Sequence, residues 1–84
     1  MKSKCEKIEW IIKLYLEDVH KVCLHFTQDE ARAKELVKDV FVKFYGKMDW
    51  LEAEKGLDLN SKVKSELVLS YLIVLTKKIY IESR

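Results

Sequence analysis

The side chains that could do chemistry in this sequence are two histidines, two cysteines and scattered carboxylates. His20 and His25 are five residues apart, about 140° around a helix axis, so they cannot share a metal ion as an i, i+4 pair would. Cys23 and His25 are two residues apart, and such residues do not face each other on a helix. We therefore expect both histidines at the surface or at the rim of the core.

The remaining signals for chemistry are equally weak. Gly46 and Gly56 are isolated, so the chain has no glycine-rich phosphate loop. The acidic pair at positions 29 and 30 is typical of a helix start, and the acids at 52 and 54 are typical of a solvated loop. Without a set of convergent catalytic groups, the sequence predicts a protein that is not an enzyme and needs no metal or cofactor.

Length and composition predict a single small domain, residues 1–84. With 49% hydrophobic residues, 36% charged residues and no proline, the chain has the profile of amphipathic helices rather than of a disordered segment. The net charge is only +2, so any contact with DNA has to use local clusters of charge.

The cysteines and the apolar runs predict where such a protein works. Cys5 and Cys23 form no CxxC motif, which favours a reduced, cytoplasmic setting with Cys23 as an ordinary apolar residue. Charges interrupt every apolar stretch near the start, so we expect no signal peptide. The longest apolar run, residues 67–75, is about half of the ~20 residues that span a bilayer, so we expect no membrane partner.

Apolar residues spaced by three and four predict two amphipathic helices, at about 6–26 and 28–49. Between them, Thr27 and Glu30 have the spacing of a capping box, which makes Thr27 the expected N-cap of the second helix. Phe26 is then expected to staple onto the first turn of that helix. A link this short predicts that the two helices pack antiparallel.

The second half of the chain predicts a long loop and a third helix. Residues 50–63 lose the helical period and contain Gly56 and the pair Asn60-Ser61, which are turn or cap residues. Residues 67–75 are apolar on nearly all sides, and the helical spacing of apolar residues continues beyond them, which gives a third segment at about 64–83. A strand there would have no partner for its backbone, so a buried helix is the better interpretation. The predicted fold class is all-α, a compact domain of three helices.

Two stretches of this chain resemble a known module. Residues 26–45 read FTQDEARAKELVKDVFVKFY and residues 71–82 read YLIVLTKKIYIE. They are similar to the patterns LTGDxxDAEDLVQExFLRxW and WLYRIARNLAID of region 2 in bacterial RNA polymerase sigma factors of the extracytoplasmic-function (ECF) type. The chain has Lys38 where the pattern has glutamine, and Lys77-Lys78 where it has Arg-Asn.

The resemblance implies a compact helical domain that binds two partners. In the family, the outer face of the second helix docks on the clamp helices of the largest subunit of core RNA polymerase. The matching positions here are Glu35, Leu36, Lys38, Asp39, Val42 and Lys43. A solvated face with local salt pairing is the alternative interpretation of these residues.

The resemblance also implies binding to the promoter −10 element, with one base of the non-template strand flipped out of the stack. In the family, the third helix and the loop before it grip this DNA. The DNA-binding residues implied here are Trp50, Asn60, Ser61, Lys62, Lys77, Lys78 and Arg84. Trp50 and Tyr71 are candidate stacking aromatics, although core packing is the expected role of Tyr71.

The apolar third helix supports a different class of function. Two partner helices cannot cover every side of residues 67–75, so surplus apolar surface is expected to pair with another chain. The alternative prediction is therefore a helical protein–protein interaction module without DNA binding. Its partner would be a second copy or an inhibitory anti-sigma factor.

Overall fold

The computed structural model describes residues 3–83 as three helices. Helix α1 spans Lys4–Thr27, α2 spans Glu30–Lys55 and α3 spans Glu66–Glu82. The first two form an antiparallel hairpin, and α3 packs against both of them. The all-α class and the three-helix architecture predicted from the sequence are confirmed. Within residues 3–83, no helix is both long enough and apolar enough to cross a membrane.

The turn between α1 and α2 is built differently from the predicted capping box. Thr27 is the last residue of α1, and its hydroxyl donates to the carbonyl of Cys23 at 2.9 Å. Gln28 turns the chain with a left-handed φ of 53°. The N-cap of α2 is Asp29, whose carboxylate accepts from the amide of Ala31 at 3.0 Å. The Thr27 cap was therefore wrong, because an aspartate two residues on satisfies the first turn of α2 instead.

Helix α2 is longer than the sequence period predicted. It continues past residue 49 to Lys55 and ends at Gly56, whose φ of 64° is left-handed. Such a conformation favours glycine, and the amide of Leu57 bonds back to the carbonyl of Leu51 at 3.2 Å. Leu51 is buried in the core, so it extends the apolar face beyond the predicted boundary. The connection to α3 is consequently confined to residues 56–65.

Residues 56–65 are fastened to α1 rather than loose. Leu59 is fully buried in the core. The Lys64 ammonium bonds the Asp18 carboxylate at 2.8 Å, and this hydrogen bond raises the pKa of Lys64. The backbone amide of Ser65 donates to the buried Tyr15 hydroxyl at 2.6 Å. These contacts set where α3 begins, and therefore where its side chains lie along α2.

The core lies along the axis between the three helices. Its largest fully buried side chains come from all three helices and from the connection: Tyr15, Phe44, Met48, Leu51, Leu59 and Leu72. Phe26, which was predicted to staple onto α2, is half-buried and packs on α3. Its ring stacks on that of Tyr80, with centroids 5.4 Å apart, and so ties the end of α1 to the end of α3. Helix α3 therefore runs parallel to α1 and antiparallel to α2.

Candidate functional site

One side of α2 faces solvent along most of the first half of the helix. Glu35, Lys38, Asp39, Val42 and Lys43 are all exposed, and their spacing by three and four places them on one face. We call these five residues the α2 stripe. Val42 is 66% exposed, a large apolar surface in the middle of charged neighbours. The stripe contains five of the six residues predicted to bind polymerase.

Leu36, the sixth predicted polymerase-binding residue, does not lie on the exposed face where it was expected. Its side chain is only 6% exposed and belongs to the core, together with Ala33, Val37 and Val40. The reason is helical geometry, since residues 33, 36, 37 and 40 form one continuous buried face. An edge of Leu36 still lines a surface hollow beside Glu35, but this side chain does not protrude for docking.

A furrow runs between α2 and α3, and one of its ends is acidic. The hollow at this end has a volume of about 660 Å³ and lies between the start of α2 and the end of α3. Glu35 and Asp39 line it opposite Tyr80, and Arg32 is the basic residue there among residues 3–83. Asp39 and Ser83 also line the next hollow along, which joins this end to the middle of the furrow.

The other end of the furrow is basic and aromatic. This hollow of about 470 Å³ shares Lys43 with the middle one, so the furrow continues along α2. We call it the Trp50 furrow and define it by six of its lining residues: Lys43, Lys47, Trp50, Tyr71, Val74 and Lys78. Its lining has one acidic residue, Glu82. The two ends of the furrow between α2 and α3 therefore carry opposite charge.

Trp50 borders this furrow with an accessible indole ring. Its side chain is 45% exposed, and it lies on α2 rather than in the predicted loop. The Lys55 ammonium lies 5.3 Å from the ring centroid and the Lys47 ammonium 5.8 Å from it. Both distances are within the range of cation–π attraction. Among residues 3–83, neither lysine forms an ion pair, so both charges remain available to an anion.

Tyr71 forms part of the furrow wall and is also held by the core. Its ring lies against that of Phe44, with centroids 5.9 Å apart. Partial burial of the Tyr71 hydroxyl raises its pKa above the ordinary value. Core packing, the role expected for Tyr71, is therefore confirmed, and Trp50 is the more exposed of the two candidate stacking aromatics.

Of the two predicted DNA-binding lysines of α3, Lys78 lines the Trp50 furrow and Lys77 does not. Both are exposed, and both line a shallow hollow of about 310 Å³ with Val74 and Ile81. Lys78 also lines the Trp50 furrow, so the two hollows adjoin. Arg84, the last predicted DNA-binding residue, lies outside the described residues.

The three predicted DNA-binding residues of the connection are placed elsewhere. The Lys62 ammonium is 5.6 Å from the ring of Trp10, which Lys13 approaches to 5.5 Å. Lys62 therefore belongs to a corner formed by α1 and the connection. Lys62 precedes the start of α3. Lys77 lies eleven residues after the first residue of that helix, or about 17 Å along its axis at 1.5 Å per residue.

The backbone of Asn60 and the hydroxyl of Ser61 are engaged in turns. The backbone amide of Asn60 donates to the Asp58 side-chain carboxylate at 3.0 Å. The Ser61 hydroxyl accepts from the amide of Val63 and donates to the carbonyl of the same residue, both at 3.1 Å. These contacts are typical of side chains that shape a loop. Asn60 and Ser61 are not among the residues that line the Trp50 furrow.

The chemically reactive side chains do not converge. His20 pairs with Glu30 at 3.0 Å across the α1–α2 hairpin, and His25 is exposed beside Phe26. Cys23 is buried in the core, and this burial raises the pKa of its thiol to about 11. In the described part of the chain, no three His, Cys, Asp or Glu side chains are grouped to hold a metal.

The Trp50 furrow contains residues that were not predicted from the sequence. Lys47 and Val74 were not singled out, yet both line it with Trp50. The spacing of Lys43, Lys47 and Trp50 by four and three was visible in the sequence, and it places all three on one helical face. That signal was lost because the helix was predicted to end before Trp50.

The chain matches no protein-family model, no curated protein and no solved structure. The α2 stripe and the Trp50 furrow are therefore the features from which a function has to be inferred.

Proposed function

We propose that this chain is a sigma region 2-like domain that binds core RNA polymerase and the promoter −10 element during transcription initiation. Such a domain acts in the cytoplasm and is not an enzyme. The observation that carries the proposal is the α2 stripe, which faces solvent while Phe41 and Phe44 of the same helix face the core. Residues 30–45, which make up most of the stretch that resembles the polymerase-binding helix of the family, thus lie on one helix with a free face.

The α2 stripe has the composition of a helix-docking surface. Val42 supplies an apolar centre, and the residues three and four positions before it are Asp39 and Lys38. An apolar centre with a polar, solvent-exposed rim is the usual anatomy of a protein interface. The rim of the stripe contains both acidic and basic residues. It therefore fits a partner surface that also carries acidic and basic side chains, as paired clamp helices would.

The charge of the furrow supports the DNA-binding half of the proposal. DNA phosphates are repelled by Glu35 and Asp39 at one end and attracted by Lys47 and Lys78 at the other. Local clustering of this kind is what a domain of net charge +2 needs in order to bind DNA. Lys43 belongs to both the α2 stripe and the Trp50 furrow, so the polymerase and DNA surfaces adjoin on α2.

The polymerase contact is tested by Val42→Glu. We expect this change to weaken binding of the purified domain to bacterial core RNA polymerase by about tenfold or more, because it places a carboxylate in the apolar centre of the interface. Leu16→Glu is the matched control, since Leu16 is an exposed apolar residue on α1. Equal binding of both variants and the parent would refute the proposal. So would a parent domain that binds neither core polymerase nor −10 oligonucleotides at low salt.

A second candidate function is a protein–protein interaction module without DNA binding. It is favoured by three exposed apolar residues on α3: Leu67 at 68%, Val74 at 63% and Ile81 at 55%. Steps of seven place them on one helical face, as in the seam of a coiled coil. A second copy of the chain or an anti-sigma factor are the partners considered for this face.

Self-association through α3 is measured by sedimentation equilibrium at increasing concentration. A dimer that Val74→Glu dissociates, with no affinity for core polymerase, would favour the second candidate. A monomer at every concentration would count against the self-associating form. Leu67→Glu separates the surfaces, because Leu67 is exposed on α3 and belongs neither to the α2 stripe nor to the Trp50 furrow, which Val74 lines.

A further inference from the structure

We propose that the exposed face of α2 also binds a second copy of this chain, so that two α2 helices pair antiparallel across a two-fold axis beside Val42. The acidic part of each helix face then lies against the basic part of the other. This dimer goes beyond the proposed function. It also covers the α2 stripe and so keeps the domain from polymerase, a consequence that rests on the proposed function.

The first observation is the order of charges along α2. Four exposed residues follow one another at steps of four and form one row on the helix surface: Glu35, Asp39, Lys43 and Lys47. We call these four residues the charged row. Its first two members are acidic and its last two are basic, so its ends carry opposite charge. Such a row is complementary to a second copy of itself that is turned end for end.

The spacing of the charged row fixes the register of the two helices. We align Glu35 with Lys47 of the second copy. The same alignment brings Asp39 to Lys43, because both pairs share one midpoint along α2. Two-fold symmetry repeats each pair on the other side of the axis. Val42 is exposed next to that midpoint, so it supplies an apolar centre within a charged rim.

The opposite orientation of the two helices is unfavourable. In a parallel pair at the same register, each member of the charged row faces the same residue of the second copy. Acid then meets acid and lysine meets lysine, and such juxtapositions oppose association. The order of charges therefore selects the antiparallel dimer.

The second observation is that two of the three neighbouring pairs in the charged row carry like charge. Glu35 and Asp39 are four residues apart, and like charges at that spacing destabilise a helix. The same holds for Lys43 and Lys47. Within residues 3–83, none of the four side chains forms an ion pair. The four charges are therefore available to another molecule, and a second copy offers each of them an opposite charge.

The third observation is Gly46, which lies one helical turn beyond Val42 on the same exposed face. Glycine inside a helix is less favourable than alanine. Among the described residues, a Cβ atom at position 46 would meet nothing within 4 Å outside its own turn of helix, so packing of the domain does not require glycine there. A missing side chain lets another backbone approach closely. We therefore place the second helix across Val42 and Gly46.

The shared surface makes the dimer a competitor of polymerase. One helix face on each copy is a small interface, so we expect a weak dimer with a dissociation constant on the order of 10 μM. A partner that binds the same face more tightly shifts such an equilibrium toward the single domain. The second copy would thus act as a reversible cover of the α2 stripe.

Charge reversal tests the pairing in the full chain. The double variant Glu35→Lys, Asp39→Lys makes the charged row entirely basic, and Lys43→Glu, Lys47→Glu makes it entirely acidic. In sedimentation equilibrium at low salt, we expect each variant alone to associate at least tenfold more weakly than the parent, because like charges then face each other. An equimolar mixture of the two should recover the dimer. A mixture that stays monomeric, with each variant at parent helicity by circular dichroism, would overturn the proposal.

Gly46→Leu tests the close approach of the two helices. The added side chain enters open space in the single domain, so helicity and the thermal midpoint should not fall below those of the parent. Association should weaken by about tenfold or more, because the side chain holds the helices apart. Leu67→Glu is the control, since Leu67 is exposed on α3 and should leave this dimer intact. A dimer that Leu67→Glu dissociates and Gly46→Leu preserves would contradict the proposed interface.

The dimer and the proposed function can fail separately. A parent chain that binds core polymerase but stays monomeric up to about 500 μM, roughly fifty times the expected dissociation constant, would refute the dimer alone. A dimer that obeys the charge reversals but has no affinity for polymerase would refute the polymerase contact alone. If both form, the clamp-helix hairpin of polymerase should dissociate the dimer. A complex that retains two copies on one hairpin would contradict the shared surface.

Discussion

The two tryptophans of this chain have similar surroundings but different roles. Among residues 3–83, each has two lysine ammonium groups within 6 Å of its ring centroid. At Trp10 the lysines come from α1 and from the connection, so the cluster joins two elements. At Trp50 both lysines come from α2 itself, so the cluster does not connect α2 to another element. The Trp50 ring borders the furrow between α2 and α3. The same chemistry is thus structural where it bridges elements and available to a ligand where it does not.

Of the changes that test this comparison, Leu59→Ala should have the largest effect. Leu59 is the buried side chain that anchors the connection, the segment that supplies Lys62 to the Trp10 cluster. We expect a loss of about 2–5 kcal/mol in the free energy of unfolding, because a fully buried leucine is replaced by a cavity. Urea denaturation followed by circular dichroism measures it. Val63→Ala is the control in the same connection, since Val63 is exposed and should change stability by less than about 0.5 kcal/mol. Equal effects of the two changes would contradict the anchoring role of Leu59.

A smaller effect is expected from Tyr15→Phe, which tests how α3 is positioned beside Trp50. The Tyr15 hydroxyl accepts from the amide of Ser65 at 2.6 Å, at the N-cap of α3. Losing this acceptor should cost about 1–3 kcal/mol in stability, because the amide is left without its partner. Thermal unfolding measures the change.

Tyr45→Phe is the matched control for that experiment. The Tyr45 hydroxyl contacts the Cys5 sulfur at 3.8 Å in an exposed setting, so its removal should cost less than about 0.5 kcal/mol. If both tyrosine variants lose the same stability, the bond to Ser65 does not fix the start of α3.

The smallest predicted effect is electrostatic. For single-stranded oligothymidine, the slope of log affinity against log salt should fall by about 0.7 for each phosphate-binding lysine that is neutralised. We therefore expect Lys47→Gln and Lys78→Gln each to reduce the slope, whereas Lys62→Gln should leave it unchanged. Titrations at three or more salt concentrations measure the slopes. A change confined to Lys62→Gln would reverse the comparison between the two tryptophan sites.

The helices were predictable because their apolar spacing agrees with the packing. The face of α2 at Ala33, Val37, Val40, Phe41 and Phe44 is buried as the spacing predicted. The end of α2 was not predictable from the same pattern. Acidic residues after Trp50 resemble a solvated loop, yet Leu51 continues the buried face and Gly56 supplies the stop. Local composition and helical period gave conflicting indications there, and burial of Leu51 favoured the helix.

The candidate site was predictable only in part. The exposed α2 stripe follows from one helical period, but Leu36 lies at its border and packing placed it inside. The Trp50 furrow joins residues of two helices, such as Trp50 and Lys78, whose register depends on Tyr15, Leu59 and the turn at Gly56. No spacing along the chain encodes such a register. The basic cleft therefore required the packed structure.

The most direct measurement is an NMR titration of the labelled domain with the clamp-helix hairpin of a bacterial RNA polymerase, followed by single-stranded −10 DNA. We expect the hairpin to shift amide signals of the α2 stripe, from Glu35 to Lys43. We expect the DNA to shift signals around Trp50 and Lys78, with Lys43 responding to both. Shifts confined to the α1 side around Leu16, or no shifts with either ligand at low salt, would contradict the proposed function.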